Sequence, residues 1–432
     1  MEEISRKLIN SDVYRVEDYA YQTTIVKRKP HRTIVKGLKL LNQFVKTVAP
    51  TTSFTNFSIL TQENDLPLDL FTYEILARLP IKCLLRLKSV SKHWCSTVSS
   101  YEFANIHFKT RLSGHLPSSP VDYLFIQVAT KFYLLSVQDD NVVLDYRLVK
   151  LEPNFENHGD EGNEIQLVGS CNGLVCLANS SFSADYFYVW NPVSYDWRKF
   201  SDPCFTSCDC IVSWGFAYVS NSDDYKVVKI VQDYDLLEIN VSVFSLGSRE
   251  WKRIHDHGLD PSLSLTRTNP GVLVNDSLYW IMVSKGPLEK RVVVRFSLTL
   301  EKFEEVPGLV VPNGRDQFLC VIGGCLSMCN LNIRHEADLS ILKRPGVVKW
   351  VTISSNSEKW ACSGLVGPTK TGKFFAISKG SELALMDSGF SAKDRTPLAT
   401  LEQADRLSIV SYVPSLISPF FFNLRFTRQI ML

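Results

Sequence analysis

The residues of this chain whose types could do chemistry are eleven cysteines and eight histidines, and chemistry needs them close together. Zinc is held when four thiolates or imidazoles converge, most often as tightly spaced pairs. Two thiol groupings approach that pattern: Cys204-x3-Cys208-x-Cys210 and Cys320-x4-Cys325-x3-Cys329. Neither contains a Cys-x-x-Cys pair or a neighbouring histidine, so the first reads as a loop and the second as strand residues. His255-x-His257 is the close histidine pair, and no nucleophile with an assignable base goes with it. No phosphate-cradling glycine loop follows a strand, because Gly169 and Gly173 lie in a β-turn context. The sequence therefore assigns no catalytic residue, no metal and no cofactor, and leaves recognition through surfaces as the chemistry to seek.

The partners of such surfaces are bounded by composition. With 47 basic and 45 acidic residues the net charge is +2, so no broad field argues for nucleic acid or an anionic membrane. An apolar fraction of 45% over 432 residues implies two or three domains with buried cores. No apolar run approaches the roughly 18 residues of a membrane span, and the opening MEEISRK lacks a signal-peptide core. An odd number of scattered cysteines fits reduced thiols. The expected setting is intracellular, in the nucleus, the cytoplasm or both.

Two regions must position the recognition surfaces. In the first, 65–108, Pro67 and Asp69 signal a helix start. The spacing of Phe71, Ile75 and Leu79 predicts a helix over 69–79, ended by Pro80. Ile81, Leu84, Leu85, Leu87 and Val90 then alternate with Lys82, Arg86 and Lys88, and a further helix is expected to carry Trp94, Val98 and Tyr101. Three short helices of this size bury too little of their own surface. A partner or the following domain must cover the remainder.

These residues resemble the F-box. The matching positions are Leu66-Pro67-x-Asp69-Leu70, Glu74-Ile75-Leu76-x-Arg78-Leu79-Pro80 and Val90-Ser91-Lys92-x-Trp94, with Tyr101 standing where many members have proline. The resemblance implies docking to the Skp-family adaptor of a cullin-RING (SCF) ubiquitin ligase, and through it to the cullin and RING subunits. It points to Leu66, Pro67, Leu70, Ile75, Leu76, Leu79, Pro80, Leu84, Val90 and Trp94 as the adaptor face or the core beneath it. A helical cap on the next domain is the alternative use of the same helices.

The second region, 109–432, is strand-rich: short runs of Val, Ile, Phe, Tyr and Trp punctuated by Gly, Pro, Asn and Asp. It also repeats. Trp190 precedes Trp197, Phe244 precedes Trp251 and Phe296 precedes Phe303, each across a polar turn, and a fainter copy runs from Ile341-Leu342 to Trp350. The copies recur near the roughly 50-residue period of kelch-type blades, which divides the region into about six units. Radial repetition suits such units because each small sheet buries both faces on its neighbours. A β-sandwich, the main rival, requires no such period.

This region resembles the F-box-associated domain of large plant F-box families. The pieces that carry the likeness are Gly169-Ser170-Cys171-Asn172-Gly173-Leu174, Val189-Trp190-Asn191-Pro192, Asp224-Tyr225-Lys226-Val227-Val228, Val243-Phe244-Ser245-Leu246, Leu278-Tyr279-Trp280 and Tyr412-Val413-Pro414-Ser415-Leu416. The expected architecture is α+β and multidomain: a basic extension and linker at 1–60, a three-helix F-box at 61–108, and an all-β propeller-like domain of about six blades at 109–432. The extension carries Lys27-Arg28-Lys29-Pro30-His31-Arg32, which suits a nuclear import signal, a membrane-surface contact or a solvated arm. The implied role is a non-catalytic substrate receptor of the ligase whose β domain binds a target protein, with the polar segments 152–163, 201–210, 255–269 and 285–291 as contact loops. The alternative is a propeller that binds a glycan or small molecule, with the helices serving assembly.

Overall fold

The structure, a computed structural model, describes residues 76–112, 123–139, 144–155, 165–179, 186–202, 210–233, 238–265, 269–284, 290–306, 316–331, 337–344, 347–354, 362–369, 371–378, 382–387, 396–401 and 407–423. The chain divides into two compact units, Met1–Gly114 and His115–Leu432. No helix among the described residues is long and apolar enough to cross a membrane.

In the first unit a 3-10 turn (Leu76–Arg78) leads to α1 (Ile81–Lys88), α2 (Lys92–Val98) and α3 (Tyr101–Leu112). Pro80 stands just before α1, where its missing N–H costs nothing, and its carbonyl accepts from the Cys83 and Leu84 amides. Ser91 is extended, and its Oγ accepts from the Trp94 amide at 3.1 Å, capping α2. Ser100 repeats the device on the Phe103 amide at 3.1 Å. The run expected to hold Trp94, Val98 and Tyr101 on one helix is therefore two, because the Ser100 cap starts a new helix whose first residue is Tyr101. Leu76, Leu79, Ile81, Leu84, Val98, Phe103 and Phe108 form the core.

The described residues of the second unit form six antiparallel sheets. The first contains β1 (Tyr123–Val128), β2 (Lys131–Asp139) and β3 (Leu144–Leu151); the second β4 (Ile165–Cys171), β5 (Leu174–Asn179), β6 (Tyr186–Trp190) and β7 (Trp197–Ser201). The third is β8 (Cys210–Val219), β9 (Asp224–Asp233), β10 (Ile239–Ser245) and β11 (Glu250–Ile254). In the fourth an interrupted inner strand, β12 (Leu263–Leu265) with β13 (Val272–Val274), precedes β14 (Ser277–Ser284), β15 (Arg291–Ser297) and β16 (Lys302–Glu305). The fifth is β17 (Asp316–Ile322), β18 (Cys325–Leu331), β19 (Ala337–Arg344) and β20 (Val347–Ser354); the sixth β21 (Cys362–Val366), β22 (Phe374–Ser378), β23 (Glu382–Met386) and β24 (Thr396–Thr400). The last strand, β25 (Leu407–Ser411), returns to pair with β1 and so completes the first sheet. The inner strands β25, β4, β8, β13, β17 and β21 touch in that order, and β21 touches β25, so the blades close into a ring.

The aromatic repeat is a cross-strand register. Trp190 faces Trp197, Phe244 faces Trp251, Phe296 faces Phe303 and Leu342 faces Trp350 across the third and fourth strands of successive blades. In the first three, the turn between the strands has one backbone form. Tyr195, Arg249 and Glu301 sit at φ 60, 61 and 54, and their amides donate to Asn191, Ser245 and Ser297 four residues back. The side chains of those three residues also accept from the amides of Ser194, Ser248 and Leu300. A polar residue there supplies a turn bond that an apolar one cannot.

Trp190, Phe244, Phe296 and Phe303 are buried, whereas Trp197 and Trp251 are half-buried. These two lie on outer strands, and their indoles reach back to the preceding blade. Trp197 Nε1 donates to Asn154 Oδ1 at 2.9 Å and Trp251 Nε1 to the Ser201 carbonyl at 3.2 Å. Buried glutamines tie the inner layer in the same way. Gln127 accepts from the Leu167 amide and donates to the Ile165 carbonyl, and Gln232 accepts from the Leu265 amide.

Candidate docking surfaces

The predicted adaptor residues fall into three groups. Leu66, Pro67, Leu70 and Ile75 lie outside the described residues. Leu76, Leu79 and Leu84 are buried in the core of the helical unit. Pro80 is exposed, and Val90 and Trp94 are half-buried, with Leu85 and Leu87 of α1 in the same condition. The second group shapes the unit, and the third lies wholly or partly at its surface. Exposed Lys82, Arg86 and Lys92 accompany the half-buried apolar residues, so this surface is both apolar and cationic.

His107 on α3 was not singled out from sequence, yet it is fully buried and Nε2 lies 2.9 Å from the Leu79 carbonyl. A carbonyl can only accept, so Nε2 carries the proton. The bond ties α3 to the turn after Leu79. Its signal in the sequence was slight: His107 sits one helical turn beyond Phe103 and Ala104.

The metal-type groupings are described only in part. Cys204 and Cys208 lie outside the described residues, while Cys320 and Cys329 are buried strand residues. His257 Nδ1 is taken up by the Leu259 amide at 3.2 Å. Among the described residues no group of three or more His, Cys, Asp or Glu could hold a metal ion. Burial pushes the Cys171 thiol up to about 12, so this cysteine is no nucleophile at neutral pH.

Three of the sequence pieces that carried the propeller resemblance meet at one place. After β25 the chain crosses the turns of the second blade. Asn191 is fully buried; its Nδ2 donates to the Ser415 carbonyl at 3.0 Å and the Ile417 carbonyl at 2.8 Å, while its Oδ1 accepts from the Val193 amide at 2.9 Å. Ser415 Oγ donates to the Asn172 carbonyl at 2.7 Å, and the Tyr412 hydroxyl to the Gly173 carbonyl at 3.2 Å. Gly173 has φ +82, and a Cβ there would lie 2.1 Å from Ser415 Oγ. Glycine is required on both counts. Farther along, Phe422 packs edge-on against Tyr225 of the third blade at 5.2 Å. This tail is a clasp that holds the ring shut.

Of the segments expected to be contact loops, 152–163, 201–210 and 285–291 lie mostly outside the described residues and 255–269 mostly within them. Among the described residues, those at or just beyond the outer strands of the first three blades reach the next blade. Asn154 meets Trp197, Ser201 meets Trp251, and the His257 carbonyl accepts from the Phe303 amide at 2.7 Å. Such contacts cover edge strands that would otherwise present unpaired backbone. A buried ion pair works in the same seam. Lys229 of β9 binds Asp202, both essentially without solvent exposure, with the ammonium 5.3 Å from the Trp214 ring centroid.

Comparison with known proteins places these two units. Residues 64–105 match the F-box domain and residues 124–367 the F-box associated beta propeller domain. The chain is 29% identical over 303 residues to the F-box/kelch-repeat protein At3g23880 of Arabidopsis thaliana, covering 68% of this chain and 79% of that one. It is 31% identical over 308 residues to the F-box protein CPR1 of the same plant, covering 65% and 70%. With both domains matched in order, this chain belongs to the F-box proteins that carry an F-box associated beta propeller domain.

Proposed function

We propose that the protein is the substrate-recognition subunit of an SCF ubiquitin ligase. The observation that carries this reading is the succession of an F-box match and an F-box associated propeller match in one chain. The F-box implies a Skp1-type adaptor, which links the chain to cullin and RING subunits inside the cell. Val90, Trp94 and Pro80 supply the reachable part of that dock, and Leu66, Pro67, Leu70 and Ile75 extend it. The propeller holds the target protein, and the chain itself performs no bond chemistry. Its contribution is proximity: a held target lysine meets the ubiquitin-charged enzyme at a high effective concentration.

Co-purification with a Skp1-type adaptor tests the reading. The wild-type chain should bring the adaptor down, and Leu66→Ala with Pro67→Ala should abolish capture while the propeller stays folded by tryptophan fluorescence. Undiminished capture by the double variant would remove those residues from the dock. No capture by the wild type would sink the receptor role.

A further inference from the structure

The clasp lies over a labile piece of backbone. Asparagine cyclises to a succinimide most readily before glycine, whose missing side chain leaves its amide nitrogen unhindered and its backbone free to turn. The sequence holds two such pairs, Asn172-Gly173 and Asn313-Gly314. The first is the two-residue turn between β4 and β5, with Cys171 opposite Leu174, Asn172 at φ 51 and Gly173 at φ 82. A turn of this length requires left-handed backbone at both residues, which Asn and Gly accept.

In the cyclisation the Gly173 amide nitrogen attacks the Asn172 side-chain carbonyl carbon. A bond forms between that nitrogen and Cγ, the bond from Cγ to Nδ2 breaks, and ammonia leaves with the amide proton. Water then opens the ring at one of its two carbonyls. One product is an ordinary aspartyl main chain; the other is isoaspartyl, with the main chain running through Cγ.

The attack requires the peptide plane between Asn172 and Gly173 to turn toward the Asn172 side chain, and the clasp holds that plane. Ser415 Oγ donates to the Asn172 carbonyl at 2.7 Å. Carbonyl and amide share one rigid plane, so fixing the oxygen also fixes the nitrogen. The Tyr412 hydroxyl holds the following carbonyl, that of Gly173, at 3.2 Å. Gly173 is buried, and a Cβ added there would lie 2.1 Å from Ser415 Oγ, which leaves no room for rotation under the seated clasp.

We propose that Asn172 is a deamidation site gated by the clasp. With the clasp seated the turn is protected; when residues 412–418 lift away in a local opening, the turn reacts, and the isoaspartyl product does not take the clasp back. Its extra main-chain atom lengthens the turn that sets the β4–β5 register. The former Asn172 carbonyl leaves the main chain as a carboxylate, so the acceptors of Ser415 and Tyr412 are both displaced. Ring closure is thereby lost irreversibly, one molecule at a time.

The test follows Asn172 in the full chain at neutral pH by peptide mapping with mass spectrometry, reading Asn313 in the same digest. The chain in guanidinium chloride gives the unprotected rate, and the native chain should deamidate at Asn172 at least about tenfold more slowly, since protection follows the free energy of local opening. Ser415→Ala should speed Asn172 about fivefold, equivalent to about 1 kcal/mol at 25 °C, which is the net contribution of one hydrogen bond. Tyr412→Phe should act in the same direction, and Asn313 should respond to neither. Should Ser415→Ala fold poorly, Tyr412→Phe decides alone, because it keeps the ring and removes only the hydroxyl. Aged chains in which an isoaspartyl methyltransferase detects isoaspartate should melt below fresh Asn172→Asp, which carries the aspartyl product. Equal rates in native and denatured chains, no response to either variant, a matching response at Asn313, or an aged chain with the thermal midpoint of Asn172→Asp would each overturn the proposal.

Discussion

Replacing Asn191 by alanine is the sharpest probe of the clasp. The substitution removes two donors from the Ser415 and Ile417 carbonyls and one acceptor from the Val193 amide, at a residue with no solvent exposure. A buried polar group left unsatisfied costs about 1–3 kcal/mol. Tyr412 and Ser415 still hold the clasp to Gly173 and Asn172, so the segment can shift and admit water to part of the gap. Two orphaned carbonyls and a weakened turn then predict a loss of about 3–5 kcal/mol, a large share of the roughly 5–15 kcal/mol that holds a folded protein. Urea denaturation of the full chain, followed by tryptophan fluorescence, measures it, because Trp190 adjoins the site and is buried against Phe125, Phe132 and Phe155. Asn191→Asp serves as a control: it keeps the acceptor for Val193 but loses both donors, and should be no more stable than the alanine variant. A loss under about 0.5 kcal/mol, the ordinary effect of a surface change, would show that the tail lies on the ring without holding it.

Other outcomes follow from the same geometry. Gly173→Ala should prevent stable folding, since its Cβ would collide with Ser415 and its φ is left-handed; a soluble variant with a wild-type thermal midpoint would contradict this. Lys229→Met should cost about 3–5 kcal/mol by stranding the Asp202 carboxylate, and adding Asp202→Leu should recover most of it; equal stability of single and double variants by urea titration would count against the buried pair. Leu84→Ala should unfold the helical unit, at about 2–5 kcal/mol, whereas Trp94→Ala should weaken adaptor capture with the helices intact by circular dichroism. Burial raises the Glu301 pKa, but the hydrogen bonds and charges of Lys226 and Lys252 outweigh it and leave it lowered. A lowered folded-state pKa means stability present above the unfolded value, near pH 4.3, and lost as pH falls through the folded value. Glu301→Gln should therefore flatten the acid limb of a stability-against-pH curve; an unchanged limb would exclude its contribution.

What the sequence determined by itself was local or periodic. Pro80 announced a helix boundary because proline lacks an N–H. The spacing of Trp190 and Trp197 recurred because one turn conformation joins the outer strands of successive blades, so the repeat was legible before any sheet was seen. The tertiary structure decided everything that depends on residues far apart in the chain. Leu407–Ser411 joins the first sheet rather than starting a new one because a ring has no free end, and nothing within that strand records its partner. Asn191, Gly173 and Ser415 each read as ordinary turn or tail residues until the clasp brought them into contact over more than two hundred positions. The division of the adaptor residues into buried Leu84 and half-buried Trp94 likewise came from packing, since an apolar side chain carries the same pattern whether a neighbouring helix or a partner covers it. That Asn154, Ser201 and His257 reach the neighbouring blade was also a matter of packing, because length and polarity describe a connection without showing what lies beside it.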